Sequence, residues 1–292
     1  MEWSRGASER ENMTRFGCLA VACGLLIAGG CNGTGTSLHR SYTTDSRLAN
    51  GLVVILPGIE GESELNHNIR RGLLLAGIDR ALPIYNWGRP IPGVGMLLNQ
   101  MDFVGNRLAG VRIAKFIEEY QDKYPGQPVY VVGHSGGGGV AVFTAEGLSE
   151  GRQIDGLILL SASISAGYDL TKAIGKCRNG IVNFYNRGDT GLLLIGTTIT
   201  SNVDGMRGPS AGLNGFSPLA GSDPPAKKSA YHKLYQVNVG RYGGGDPHAA
   251  ATRPHFVSGY VAPWVLAQTW PAGAAKSSSA PGQFPSLAKA VD

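Results

Sequence analysis

Gly133-His134-Ser135-Gly136-Gly137 stands between an apolar, β-branched run and a helix opened by glycines, and no other stretch limits the fold of this chain so tightly. Val131 and Val132 lie in a strand-like run from Pro128 to Gly133, and residues 136–149 read as a helix. A chain that passes from strand to helix across one residue must turn sharply, which requires glycines on both sides so that neighbouring backbone can approach. Such a turn holds Ser135 in a strained conformation with its Oγ at the carboxyl end of the strand. The first N–H groups of the following helix then point toward any negative charge that develops there. A phosphate cradle is the competing reading of a glycine-rich strand-to-helix turn. Here the GxGxxG spacing breaks at Ser135, no Gly-Lys-Ser/Thr follows, and the next strand ends in Ser161-Ala162-Ser163 with no acidic residue.

The flanking pattern extends this local constraint to the whole chain. Strands are predicted at Leu52–Leu56, Ala81–Asn86, Pro128–Gly133, Gly156–Ser161, Ile181–Tyr185 and Leu234–Val239. Between them, helices are predicted at Ser63–Gly77, Asp102–Tyr124, 136–149, 168–177 and, last, Phe256–Gln268. Strands that alternate with helices of about ten residues or more demand crossover connections. The expected fold is therefore a three-layer α/β arrangement, with a mostly parallel central sheet and helices on both faces. On the longest helix, Val104, Leu108, Val111, Ala114, Ile117 and Tyr120 recur at three- and four-residue spacing and are expected to face the core. Residues 88–96 read as a loop, and the irregular stretch 190–230 as an excursion that could cap one face of the sheet.

Glycine makes up 44 of the 292 residues, about twice its usual share, but without the three-residue period of collagen. With 42% hydrophobic and 16% charged residues, the chain is neither a disordered polymer nor a coiled coil. Its net charge of +5 is not gathered into a basic run or an aromatic-interleaved stripe, so no nucleic-acid partner is expected. The four cysteines include no CxxC and no His/Cys cluster at zinc spacing, so neither a structural metal nor a cofactor is expected.

The N-terminus reads as a targeting segment. Arg15 precedes an apolar run from Phe16 to Gly30, too short for a membrane-spanning helix but suited to an export signal, and Met13 is a candidate start. Ile27-Ala28-Gly29-Gly30-Cys31 resembles a bacterial lipobox, which implies acylation of Cys31 and a membrane-anchored protein of a bacterial cell envelope. Cys18 and Cys23 would leave with the signal, so only Cys177 would remain beside the acylated Cys31. The chain then divides into a signal segment 1–30, a flexible tether 31–49, a folded domain 50–270 and a disordered tail 271–292.

A serine in such a turn becomes a nucleophile only with a base, an acid and donors for an oxyanion. Leu56-Pro57-Gly58-Ile59-Glu60-Gly61 directly follows the first core strand, and its glycines let it bend over Ser135. The N–H groups of Ile59 and Gly136 are the candidate oxyanion donors. The acid should follow a later strand. Asp189, in Asn183-Phe184-Tyr185-Asn186-Arg187-Gly188-Asp189, is the candidate, with Asp169 as its rival. The base belongs on the loop between the last strand and the last helix. There His248 follows the glycine-rich stretch 243–245, while His255 directly follows Pro254 at the helix start. His67 and His232 are expected on the surface.

With these residues in place, the chain resembles the α/β-hydrolase superfamily over roughly residues 50–270. It looks closest to bacterial, lipobox-bearing members with LPGIEG-like, GHSGGG-like and NFY-x-x-x-D-like segments, present here at 56–61, 133–138 and 183–189. That group carries Gly-Gly-His before the last helix, a step that Asp246-Pro247 interrupts here. The resemblance implies hydrolysis of a small-molecule or lipid ester through an acyl-enzyme, with Ser135, Asp189 and His248 as the triad and no cofactor. Thioesterase or acyltransferase chemistry would use the same residues, and a catalytically silent binding protein at the envelope would keep the fold without the chemistry.

Overall fold

The computed structural model describes residues 35–37, 40–88, 102–189, 201–240 and 245–271. The signal segment with Cys31, most of the 88–96 loop, residues 190–200 of the presumed cap and all but the first residue of the tail lie outside them.

Seven strands form one sheet in the order β1-β3-β2-β4-β5-β6-β7. They are β1 (Gly35–Ser37), β2 (Leu52–Leu56), β3 (Ile84–Asn86), β4 (Val129–His134), β5 (Gly156–Leu160), β6 (Ile181–Tyr185) and β7 (Leu234–Asn238). Only the edge strand β1 runs antiparallel to its neighbour. The helices are α1 (Asp45–Ala49), α2 (Glu64–Leu75), α3 (Phe103–Lys123), α4 (Gly136–Gly147), α5 (Thr171–Gly175), α6 (Ala211–Asn214), α7 (Pro225–Ala230), α8 (Pro254–Phe256) and α9 (Ala262–Leu266). A π turn, Val257–Val261, joins the last two. It lies just ahead of Pro263, whose ring nitrogen has no hydrogen for the regular helical bond.

Strands β2, β4, β5 and β6 are buried along their whole length, which is why they read as largely apolar runs, interrupted by Asn183 in β6 and closed by His134 in β4. Alternate side chains serve opposite faces. Val54, Leu56, Val131, Leu157 and Leu159 pack with α3, α4 and α5. Val53, Ile55, Val132, Ile158 and Leu160 pack with α2 and the C-terminal helices. At the amino edge of the second face, Trp270 fills the space left by Gly156, where an added Cβ would lie 2.5 Å from its ring. Its Nε1 donates to Trp264 O at 2.8 Å, and the two indoles meet edge to face with centroids 4.9 Å apart.

Two expectations are corrected. The core face of α3 is only in part the expected one: Ala114, Ile117 and Tyr120 are buried, but Val104, Leu108 and Val111 are 72%, 54% and 52% exposed. The buried face runs through Asn106, Ala109, Gly110, Ile113, Ala114, Ile117 and Tyr120. Close approach of α4 selects it, because an added Cβ on Gly110 would lie 2.7 Å from both the backbone and Cβ of Phe143. No side chain fits at Gly110, and this closest approach sets the rotation of the helix that turns Val104, Leu108 and Val111 outward while Ile113, Ile117 and Tyr120 stay buried. The tether read over 31–49 is likewise shortened. Gly35–Ser37 pairs with β3, and Thr44 caps α1 through Arg47 N. Arg47 Nη1 donates to Arg80 O at 3.1 Å and Tyr120 Oη to Leu48 O at 2.7 Å, so α1 is fastened to the folded body. The serines, threonines and aspartate read there as flexible are a capping composition. Among the described residues no helix is long and apolar enough to cross a membrane.

Candidate active site

Strand β4 delivers Ser135 to the carboxyl edge of the sheet with φ 52° and ψ −123°, a conformation that a residue with a Cβ rarely adopts. The turn is over-determined. Ser135 N donates to Leu160 O at 3.0 Å, while Ser135 O accepts from Gly138 N at 2.9 Å and from Ser163 N at 2.8 Å. There is no room for anything larger beside it. A Cβ on Gly133 would lie 2.4 Å from Gly137 O, and one on Gly137 only 2.2 Å from Pro57 O and 2.4 Å from Leu56 O. The loop after β2 therefore lies directly against the elbow. Trp87 Nε1 fixes it by donating to Pro57 O at 2.7 Å. Ile59 N sits 3.4 Å from where a Gly136 Cβ would be, so the two candidate oxyanion donors are neighbours. As the first residue of α4, Gly136 has no intrahelical acceptor for its N–H.

The acid and base candidates meet each other, and the base adjoins the elbow through the ring of His134. Beyond β6, Asn186 turns the chain: its O accepts from Asp189 N at 3.0 Å and its Oδ1 from Gly188 N at 2.9 Å. Asp189 is only 2% exposed. Beyond β7, Gly245 takes φ 87°, and Asp246 Oδ1 then accepts from His248 N at 3.0 Å. His248 Nδ1 and Asp189 Oδ2 are 2.6 Å apart in a buried contact. A carboxylate can only accept there, so Nδ1 carries a proton, and in the neutral imidazole Nε2 is the nitrogen with the lone pair. Asp246-Pro247 is therefore no break in the loop, since the aspartate caps the histidine it precedes.

The rival residues lie elsewhere. Asp169 is exposed and binds Thr171 N at 2.9 Å and Thr171 Oγ1 at 2.6 Å, and this pairing with Thr171 holds its carboxyl below the usual range. His255 is exposed at the first turn of α8, and His232 is also exposed. His67 is partly exposed and pairs with Glu62 at 3.0 Å. Among the described residues no His, Cys, Asp or Glu cluster is arranged to hold a metal.

Sequence reasoning passed over His134, which served only as the spacer in the serine motif. It is fully buried, its ring centroid lies 4.9 Å from that of His248, and its Nε2 is 3.4 Å from His248 O. Burial first, and the neighbouring His248 second, pull it down to about pKa 3. It is a neutral imidazole. The presence of a histidine immediately before the motif serine was the available signal, but nothing in the spacing says where it points.

A family model described as serine aminopeptidase, S33, matches residues 112–187, about a quarter of the chain. That span contains Ser135 but neither Asp189 nor His248. No curated protein matches the sequence. Among solved structures, the esterase domain of a Rhodothermus marinus protein is 14% identical, with TM-score 0.41, over 76% of this chain and 88% of that one. A cutinase-like protein from a Cryptococcus species is 16% identical, with TM-score 0.41, over 77% and 98%. Aspergillus fumigatus lipase B is 12% identical, with TM-score 0.43, over 74% of this chain and 52% of its own.

Proposed function

We propose that this chain, a member of the α/β-hydrolase superfamily, hydrolyses carboxylic esters with Ser135 as its nucleophile. The observation that carries the reading is the buried 2.6 Å contact between Asp189 and His248 beside a strained serine elbow. Asp189 holds the imidazole in the tautomer that leaves Nε2 free to take the proton of Ser135 Oγ. The serine attacks the ester carbonyl, and the Ile59 and Gly136 N–H groups receive the oxyanion, a contribution of about 3–4 kcal/mol per donor in comparable sites. His248 then returns the proton to the leaving alcohol. Water, activated by the same imidazole, releases the acid from the acyl-enzyme.

Turnover of short- and long-chain p-nitrophenyl esters by wild type and Ser135→Ala tests this directly. Wild-type turnover that falls by about a million-fold in the variant is expected, with a fluorophosphonate labelling Ser135 alone. Equal turnover by both proteins, or cleavage of aminoacyl p-nitroanilides but not esters, would refute it. We also propose export and acylation at Cys31, supported by the apolar run Phe16–Gly30 before it. Expressed in a bacterium, wild type should partition into detergent and Cys31→Ala should not.

A further inference from the structure

The loop that carries His248 is held by more than its own imidazole. Its peptide groups are gripped by side chains from three places. Asp246 Oδ1 accepts from His248 N at 3.0 Å, which is a bond within the loop. The other two come from distant strand ends. Asn186 Nδ2 donates to Pro247 O at 3.0 Å, and His134 Nε2 faces His248 O at 3.4 Å. Each of these lies beside one of the partners of His248. His134 is the residue before Ser135, and Asn186 forms the turn that presents Asp189.

We infer that His134 and Asn186 are positioning residues, which tie the peptide of His248 to the loops of the nucleophile and the acid respectively. The inference rests on the triad reading above. Its strongest support is the cost of the imidazole at position 134. Nδ1 of His134 is buried without a partner, and the ring is held neutral by its surroundings. An apolar side chain would avoid that orphaned nitrogen. What it could not do is donate to His248 O. Asn186 is used just as fully: its Oδ1 accepts from Gly188 N at 2.9 Å while its Nδ2 reaches Pro247 O, and it is only 5% exposed. One amide thus binds the acid turn to the base loop. A small displacement of a reacting group lowers the rate about 100-fold without changing the affinity for substrate. The expected signature is therefore a fall in kcat at constant KM.

The test uses the full chain and p-nitrophenyl esters, with folding checked by circular dichroism. His134→Leu and Asn186→Ala should each lower kcat about 10- to 100-fold and leave KM within about twofold. His134→Gln, whose amide reaches about as far as Nε2, should recover kcat to within about threefold of wild type, a rescue that packing alone would not produce. If the leucine variant does not fold, His134→Asn replaces it, since its amide is too short to reach the carbonyl. His248→Ala runs in parallel. Folded His134 and Asn186 variants with wild-type kcat, or a glutamine variant as slow as the leucine one, would overturn the inference while an inactive His248→Ala left the triad standing. An active His248→Ala would overturn both.

Discussion

The elbow at Ser135 and the loop at His248 adjoin through the rings of His134 and His248, 4.9 Å apart, yet they are held in opposite ways. The elbow is fixed by exclusion. Backbone from β2 and α4 crowds Gly133 and Gly137 so closely that no side chain could enter, and three backbone hydrogen bonds close the turn. The loop of His248 is fixed by attachment, through Asp246, Asn186 and His134. Crowding is written into local sequence as glycines at fixed spacing. Attachment depends on residues up to 114 positions away, and nothing local announces it.

Breaking the crowding should have the largest effect. In Gly137→Ala the new Cβ must displace backbone of both Pro57 and Leu56. Overpacking against backbone destabilises by about 3 kcal/mol or more, so urea unfolding should shift by that amount and esterase activity should largely disappear. A variant with native stability and full activity would mean that the elbow tolerates what the geometry excludes.

The buried His134 on the attached side gives the next effect, through pH. It stays neutral in the fold down to about pH 3 but takes a proton near 6.5 once exposed. Between those values the unfolded chain binds the extra proton, so this contribution is complete above about 6.5 and is lost as pH falls. The slope approaches about 1.4 kcal/mol per pH unit. His134→Gln should remove it, and urea midpoints measured from pH 7 to pH 4.5 should fall less steeply in the variant than in wild type. Parallel curves would argue against a neutral buried ring.

The smallest effect should come from Asp246→Ala. Losing one cap to a backbone N–H costs about 1 kcal/mol. The remote ties to Pro247 O and His248 O remain, so kcat should fall by no more than about tenfold. A loss as large as that of His248→Ala would show that the local bond, and not the remote pair, carries the loop.

The same contrast explains what was legible in the sequence. Leu52–Leu56 and Ile181–Tyr185 are strands buried on both faces, and an apolar run, broken only by Asn183, is what that environment selects, so their bounds could be read directly. Ser135 was marked by its own glycines. Asp169 and Asp189 both follow strands and look alike along the chain. Only the turn built by Asn186 carries the second one to His248, and that side chain reports nothing until the sheet is assembled. On α3, apolar spacing named Val104, Leu108, Val111, Ala114, Ile117 and Tyr120 as the buried face, and only the last three are buried. Close contact with α4 at Gly110 instead sets the rotation of the helix and brings Asn106, Ala109 and Ile113 inward, a choice made by the partner helix and invisible in α3 alone. Residues 40–49 misled for a related reason, since short polar side chains serve a helix cap as readily as a flexible linker.

The paired indoles at the amino edge have an optical consequence. Trp264 and Trp270 meet at 81°, and Tyr235 stands against Trp270 with centroids 5.7 Å apart, so three chromophores are locked in fixed, chiral contact. Rings held in this way rotate near-ultraviolet light strongly, and the signal vanishes once they separate. They sit at the end of the sheet opposite the serine, where no reacting group intrudes. Circular dichroism near 290 nm should therefore report melting of the body of the protein, while labelling of Ser135 reports the loops at the other end. A temperature at which labelling has ceased but the dichroic band persists would be the spectroscopic mark of a carboxyl edge that opens before the sheet does.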